Sequence, residues 1–141
     1  MDVNELIEQA AGVVRAIPEM ADQPVIEVHK GDVSKNLEIA IAKTRFAVLV
    51  GWNGFKAKSN SSKTIVGDAN LVVELFERPV VSSTGGGLKL LPAARLVGNA
   101  VNLSQPPGQS PIVFREITPV TEPSPGLISC NVVFEARNTT L

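Results

Sequence analysis

The N-terminal segment carries the pattern that most constrains the fold. Apolar side chains recur there at the three- and four-residue spacing of a single helical face, namely at Val3, Leu6, Ile7, Ala10, Val13, Val14 and Ile17. Asp2 followed by Glu5 has the spacing of a capping box, and Pro18 predicts the end of the helix. A helix with one apolar face must bury that face, so a layered arrangement is expected.

The remaining segments alternate between strand-like and helix-like patterns. Strands are predicted at 24–30, 45–52, 64–78, 111–118 and 127–137, and helices at 33–44 and 92–104. Asp32 is expected to cap the second helix, Asn53-Gly54 to form a tight turn, and Gly67 to mark a β-bulge. The order α-β-α-β-β-α-β-β predicts an α+β fold, with a mainly antiparallel four- to five-stranded sheet and helices packed on one face.

The length favours a single domain. A chain of 141 residues is expected to form one α+β domain over 1–141, with mobile loops near 53–63 and 82–87 and a polar C-terminal tail at 138–141. The acidic start of the chain lacks the positive region of a signal peptide, and no apolar run approaches the roughly 18 residues of a spanning helix. We therefore expect no membrane partner.

Reactive side chains are scarce. One Cys and one His exclude an internal disulfide and a zinc site with the usual number of ligands. His29 with Asp32 could act as a general base, but we expect His29 to be a polar residue at a strand end. Cys130 lies on the apolar side of a strand and is expected to be an inert core residue. The glycine-rich segment 82–89 lacks the Gly-Lys-Ser/Thr ending of a phosphate loop. We expect no enzyme, no catalytic residue, no cofactor and no metal.

Charge is distributed unevenly although the net charge is only −1. Residues 1–38 have a net charge of −5, and residues 39–63 have a net charge of +5 without a single acid. Three interpretations stay open: a contact with nucleic acid or an acidic protein, a solvated loop, and head-to-tail association of copies. The candidate contact residues are Lys43, Arg45, Lys56, Lys58, Lys63, Glu5 and Glu8.

The layout of the chain resembles the tail terminator, or tail completion, proteins of long-tailed phages and prophages. The similar segments are the N-terminal helix with Leu6, Ile7, Val13 and Val14, the capped helix after Gly31-Asp32, the strand at 46–50, the strand at 70–79 with the loop and helix that follow, and the final strand ending at Ala136 after a proline-rich connector. The resemblance covers nearly the whole chain, and no strict motif fixes individual functional residues.

This resemblance implies a non-enzymatic virion protein of the tail, assembled in the cytoplasm of the bacterial host. Members of the family form homo-oligomeric rings, commonly hexamers, that cap the tail tube protein and meet the head–neck proteins. Nucleic acid would meet such a ring only by passing through its lumen. The alternatives are another phage neck or minor tail component, a small non-phage nucleic-acid-binding domain using the basic segment 43–63, and an enzyme centred on His29 and Asp32.

Overall fold

A computed structural model describes residues 1–59, 64–79 and 90–141. The helices are α1 (Val3–Arg15), α2 (Val33–Thr44) and α3 (Leu90–Val101), with a short 3-10 turn at Pro18–Met20. The strands are β1 (Val25–Glu27), β2 (Phe46–Ser59), β3 (Val66–Glu77), β4 (Ile112–Ile117), β5 (Thr121–Ser124) and β6 (Leu127–Thr140). None of the helices in the described ranges is long and apolar enough to cross a membrane.

The six described strands form one mixed sheet. Its order is β1-β2-β3-β6-β4, and β5 also pairs with β6. The predicted α+β fold is confirmed. The sheet has six strands instead of the expected four or five, so the element order has one strand more than predicted. β1 runs parallel to β2 because α2 carries the chain back across the sheet between them. The proline-rich connection before β6 adds β5, a short strand that the prolines obscured.

Helix α1 begins where the sequence predicts. The Asp2 side chain accepts a hydrogen bond from the Glu5 backbone N–H at 2.8 Å, and the Glu5 carboxylate accepts one from the Asp2 N–H at 3.2 Å. This reciprocal capping box satisfies two backbone donors that the first turn of a helix leaves unpaired. The apolar stripe of α1 is buried, as the spacing predicts.

The helices lie on both faces of the sheet, and the predicted packing on one face is therefore wrong. Helices α1 and α3 bury one face, here called the covered face, together with the strand residues Val48, Val50, Leu71, Val73, Leu75, Cys130, Val132 and Phe134. Alternate strand residues point the other way. There, Ala40 and Ile41 of α2 pack on Ala47 and Phe76 at one end of the opposite face.

The rest of that opposite face, beyond α2, has no helix of the described chain over it. We call it the open face. Alternation and strand register assign to it Gly51, Lys56, Asp68, Val72, Glu74, Asn131, Val133 and Glu135, and Leu49, which packs against the α2 cluster, marks its border.

Strand β2 passes straight through the predicted turn. Asn53-Gly54 lies inside β2, where the register shifts between Trp52 and Gly54, so the dipeptide forms a bulge instead of a hairpin turn. The predicted loop near 53–63 is therefore strand as far as Ser59. The bulge predicted at Gly67 is confirmed by a register shift. A Cβ atom at Gly67 would collide with the carbonyl oxygen of Lys56, so only glycine fits there.

The C-terminal segment belongs to the sheet. Residues 138–140, which the sequence predicts to be a polar tail, are the last residues of β6, and Thr139 is fully buried. The Thr139 hydroxyl donates to the Ala136 carbonyl oxygen at 3.0 Å, which explains how a polar side chain is accommodated there. The predicted loop at 82–87 and residues 60–63 lie outside the described residues.

Candidate assembly surface

The basic residues of segment 43–63 lie at two ends of one strand. Lys43 and Arg45 lie at the end of α2 and the start of β2, whereas Lys56 and Lys58 lie near the far end of β2. Eleven residues of extended chain separate Arg45 from Lys56, which is about 35 Å. The structure therefore does not bring these four cations together, and Lys63 lies outside the described residues.

Arg45 is engaged in the fold. It adopts a left-handed backbone conformation, with φ of 60°, and ends α2. Its guanidinium donates to the carbonyl oxygen of Arg78 at 3.2 Å, which fixes the end of β3 beside the start of β2. Lys43, by contrast, is exposed in the last turn of α2 and has no ion pair with any described carboxylate.

The two lysines at the far end of β2 differ in their partners. The Lys58 ammonium lies 3.1 Å from the Asp68 carboxylate, so its charge is compensated within the chain. Lys56 is exposed and has no ion pair among the described residues. Phe55 packs into the covered-face core, so the next residue, Lys56, is on the open face.

Both candidate acids of α1 have partners within the chain. Glu5 closes the capping box at the start of the helix. The Glu8 carboxylate lies 3.6 Å from the Lys30 ammonium and 3.4 Å from Nε2 of His29. Asp32 does not approach His29 as a partner; its side chain accepts a hydrogen bond from the Lys35 N–H and caps α2.

A polar cluster joins β1 to α1. Glu27 is buried, and Arg15 donates to its carboxylate at 2.9 Å. Burial raises the pKa of Glu27, but the hydrogen bonds from Arg15 and Lys30 outweigh it and lower that pKa overall. Glu8, Glu27 and His29 place potential ligand atoms within 4.8 Å of one another. Because Arg15 and Lys30 already neutralise this cluster, it is best described as an ion-pair network that ties β1 to α1.

A shallow groove of about 200 Å³ lies on the open face. Leu49, Glu74 and Asn131 stand side by side across β2, β3 and β6, as the register of the three strands requires. Gly51 opens the groove because it has no side chain there. A Cβ atom on Gly51 would lie 3.3 Å from the Val28 side chain, which forms one wall.

Within the described ranges, Glu74 is the one acid of this face without a hydrogen-bond or ion-pair partner. Asp68 is paired with Lys58, and Glu135 accepts hydrogen bonds from Arg137 and Arg115, both at 2.8 Å. These bonds lower the pKa of Glu135.

Glu74 has no hydrogen bond or ion pair with any described residue, and partial burial raises the pKa of its carboxyl group. Burial, assisted by the negative charge of Glu74, also raises the pKa of the Cys130 thiol. Cys130 is buried on the other side of the sheet, and a thiol with a raised pKa is a poor nucleophile.

Asn131 adds a second hydrogen-bond acceptor to the groove. Its backbone N–H donates to the Thr118 hydroxyl at 2.9 Å, but its side-chain Oδ1 atom is buried with no partner in the described chain. Sequence reasoning missed Glu74 and Asn131 as candidate contact residues. The available signal was an acid inside the apolar segment 71–76, at a position that alternates with buried residues.

The fold is similar to that of a known virion protein chain. The similar chain belongs to a solved structure described as "Virion of native gene transfer agent (GTA) particle". The match has a TM-score of 0.54 and 13% sequence identity, and it covers 94% of this chain and 90% of that chain. At this identity the likeness concerns the fold. No protein-family model matches the sequence, and no curated protein does so either.

Proposed function

We propose that this protein is a structural component of a phage-like virion, and that it acts as a tail terminator: copies form a ring that caps the tail tube and joins it to the head–neck proteins. The observation that carries the proposal is the likeness to a chain of a gene transfer agent virion over 94% of the present chain. A long insertion in either chain would lower the coverage of that chain, and both coverages are high, so the two chains align over most of their lengths.

The surface chemistry supports a role in assembly. A ring requires that each copy present two different, mutually complementary surfaces. The open face combines a carboxylate at Glu74 and an ammonium at Lys56 that no described residue compensates, and the apolar side chains of Val28, Leu49 and Val72 line the groove around the carboxylate. Charged groups without internal partners on an uncovered sheet face are suited to a contact between proteins.

The test is a tube-capping experiment. The protein is mixed with polymerising tail tube protein encoded by the same genome, and the products are viewed by negative-stain electron microscopy. A terminator is expected to stop tube growth and to add a ring of density at one end of each tube. Tubes that grow unchecked, with the protein bound to neck complexes instead, would replace the terminator role with that of a neck component. Absence of the protein from purified particles of any kind would contradict the proposal.

A further inference from the structure

The groove on the open face contains two acceptors that receive no hydrogen bond from any residue the structure describes. The Glu74 carboxylate has no hydrogen bond or ion pair within the described chain, and the neighbouring Asn131 Oδ1 is buried and unpaired. Unpaired acceptors in a partly desolvated site cost free energy, and a donor that reaches both removes that cost. Because one acceptor is a carboxylate in apolar surroundings, a cationic donor satisfies the groove best.

The walls of the groove suit the stem of a long basic side chain. Val28, Leu49 and Val72 supply apolar surface, and Trp52 borders the same groove with 42% of its surface exposed. Lysine and arginine bury their methylene groups along such surface while their charged heads reach a polar partner. A small inorganic cation would leave these apolar walls in contact with water.

The same face carries a lysine whose positive charge is complementary to the Glu74 carboxylate. Lys56 is exposed, is on the open face, and has no ion pair among the described residues. It pairs in register with Asp68, six residues along β3 from Glu74, which corresponds to about 20 Å. A lysine side chain cannot span that distance, so Lys56 cannot satisfy Glu74 of its own copy. Lys56 can therefore reach a Glu74 carboxylate only in another copy of the chain.

We propose that the groove around Glu74 receives the Lys56 side chain of a second copy of this chain. This inference rests on the proposed function, because it names a contact between copies of the protein. The ammonium of one copy bonds the Glu74 carboxylate and Asn131 Oδ1 of the next, and the stem packs against Val28 and Val72. Lys58 is unsuited to the same role because Asp68 already pairs with it.

The test exchanges the two charges. Wild type, Glu74→Lys, Lys56→Glu and the double variant are compared by multi-angle light scattering and sedimentation equilibrium over a range of concentrations. Each single variant is expected to weaken self-association at least ~10-fold, because it places like charges together. The double variant is expected to recover most of the loss. An equimolar mixture of the two single variants should also associate, since each supplies the charge that the other lacks.

Two exposed residues that form no ion pair with the described part of the chain serve as matched controls. Glu19→Lys and Lys35→Glu make the same changes of charge away from the open face, and both are expected to associate like wild type. If circular dichroism shows that Glu74→Lys does not fold, the neutral pair Glu74→Gln and Lys56→Gln replaces the reversed pair. These milder variants are also expected to weaken association.

The inference is overturned if wild type is monomeric at every concentration, or if the Glu74 variants associate as wild type does. Its failure is distinguishable from failure of the proposed function. Wild-type protein that is present in virions and associates independently of Glu74 removes the groove contact and leaves the function. Association that depends on Glu74 and Lys56, in a protein absent from virions, leaves the contact and removes the function.

Discussion

The two faces of the sheet are built from the same strands and have opposite chemistry. On the covered face, Val73 and Leu75 of β3 are fully buried beneath α1 and α3, with the aromatic side chain of Phe134 among them. One residue along each strand, Glu74 and Val133 are only partly buried on the open face. The period of two in a strand thus separates a face that packs against α1 and α3 from a face that, beyond α2, no described helix covers.

Because of this difference, substitutions on the two faces are expected to change different properties of the protein. Residues on the covered face contact the helices of their own chain, so their replacement should lower the free energy of unfolding. Residues on the open face beyond α2 lack such cover, so their replacement should change contacts with other molecules. The following substitutions test this division, and they are ordered by the size of the expected effect.

Truncation of Phe134 should give the largest effect. Phe134 is fully buried and packs edge-to-face against Phe114, with ring centroids 6.0 Å apart. Phe134→Ala is expected to lower the free energy of unfolding by about 3–5 kcal/mol, through lost burial and the cavity that remains. Urea denaturation followed by circular dichroism measures this. The control is Val133→Ala, one residue away on the open face, where a loss below about 1 kcal/mol is expected. Equal losses of stability at Phe134 and Val133 would contradict the expected difference between the covered and open faces.

Helix α2 should give an intermediate effect because it covers only part of its face. Ile41 is buried against Ala47 and Phe76, and Ile41→Ala is expected to cost about 2 kcal/mol in the same denaturation experiment. Ile39 is on the same helix and is 55% exposed, so Ile39→Ala should change stability by about 0.5 kcal/mol or less. A cost at Ile39 as large as that at Ile41 would mean that the exposed side of α2 is also covered.

Replacement of Glu74 should give the smallest effect on stability, with the opposite sign. Burial raises the pKa of Glu74 above its ordinary value of 4.5, so the folded chain binds more protons than the unfolded chain between the two pKa values. Stability therefore falls as the pH rises through that window, and above it the ionised carboxylate destabilises the monomer. Glu74→Gln is expected to stabilise the monomer at pH 7 by about 0.5 kcal/mol.

The pH dependence of the stability difference between Glu74→Gln and wild type tests whether the ionised carboxylate destabilises the monomer. The stabilisation by Glu74→Gln should disappear as the pH falls below 4.5, where the wild-type carboxyl group also becomes neutral. No other titratable side chain is among the described residues that line the groove. Thermal unfolding of dilute protein at several pH values measures the difference. Lower stability of the variant at pH 7 would show that Glu74 has a partner within its own chain.

Local signals in the sequence predicted the elements whose causes are local. The apolar spacing and the Asp2–Glu5 capping box mark the start of α1, so that start could be predicted, and Asp32 similarly marks the start of α2. Helix α1 ends at Arg15, before the end predicted at Pro18, so Ile17 lies outside it. The bulge at Gly67 was also predictable, because glycine inside a strand indicates an irregular or crowded backbone.

Features that depend on distant partners could not be predicted. Asn53-Gly54 has the composition of a turn, yet β3 pairs with the residues on both sides of it and keeps β2 extended. β1 pairs in parallel with β2, and α2 packs on the face opposite to α1 and α3. Both features result from the path that the chain takes between the strands. Residues 138–140 are polar, but pairing with β3 incorporates them into β6.

The same distinction between local and distant causes applies to the candidate site. Sequence reasoning selected residues by charge along the chain, and it could not foresee that Glu5, Glu8, Arg45 and Lys58 have partners within the fold. Glu74 was not selected because its neighbours in sequence are apolar. Its importance depends on which face the helices leave uncovered, and strand alternation alone does not determine that.

The fluorescence of Trp52 reports on whether a second copy covers the groove of the open face. Trp52 is the only tryptophan of the chain, and it lines the groove with 42% of its surface exposed. As the concentration rises and the mass increases, its emission should shift to shorter wavelength and acrylamide should quench it less, because a second copy covers the groove. Glu74→Gln should delay both changes to higher concentration. An increase in mass with unchanged emission and quenching would contradict assembly through the open face.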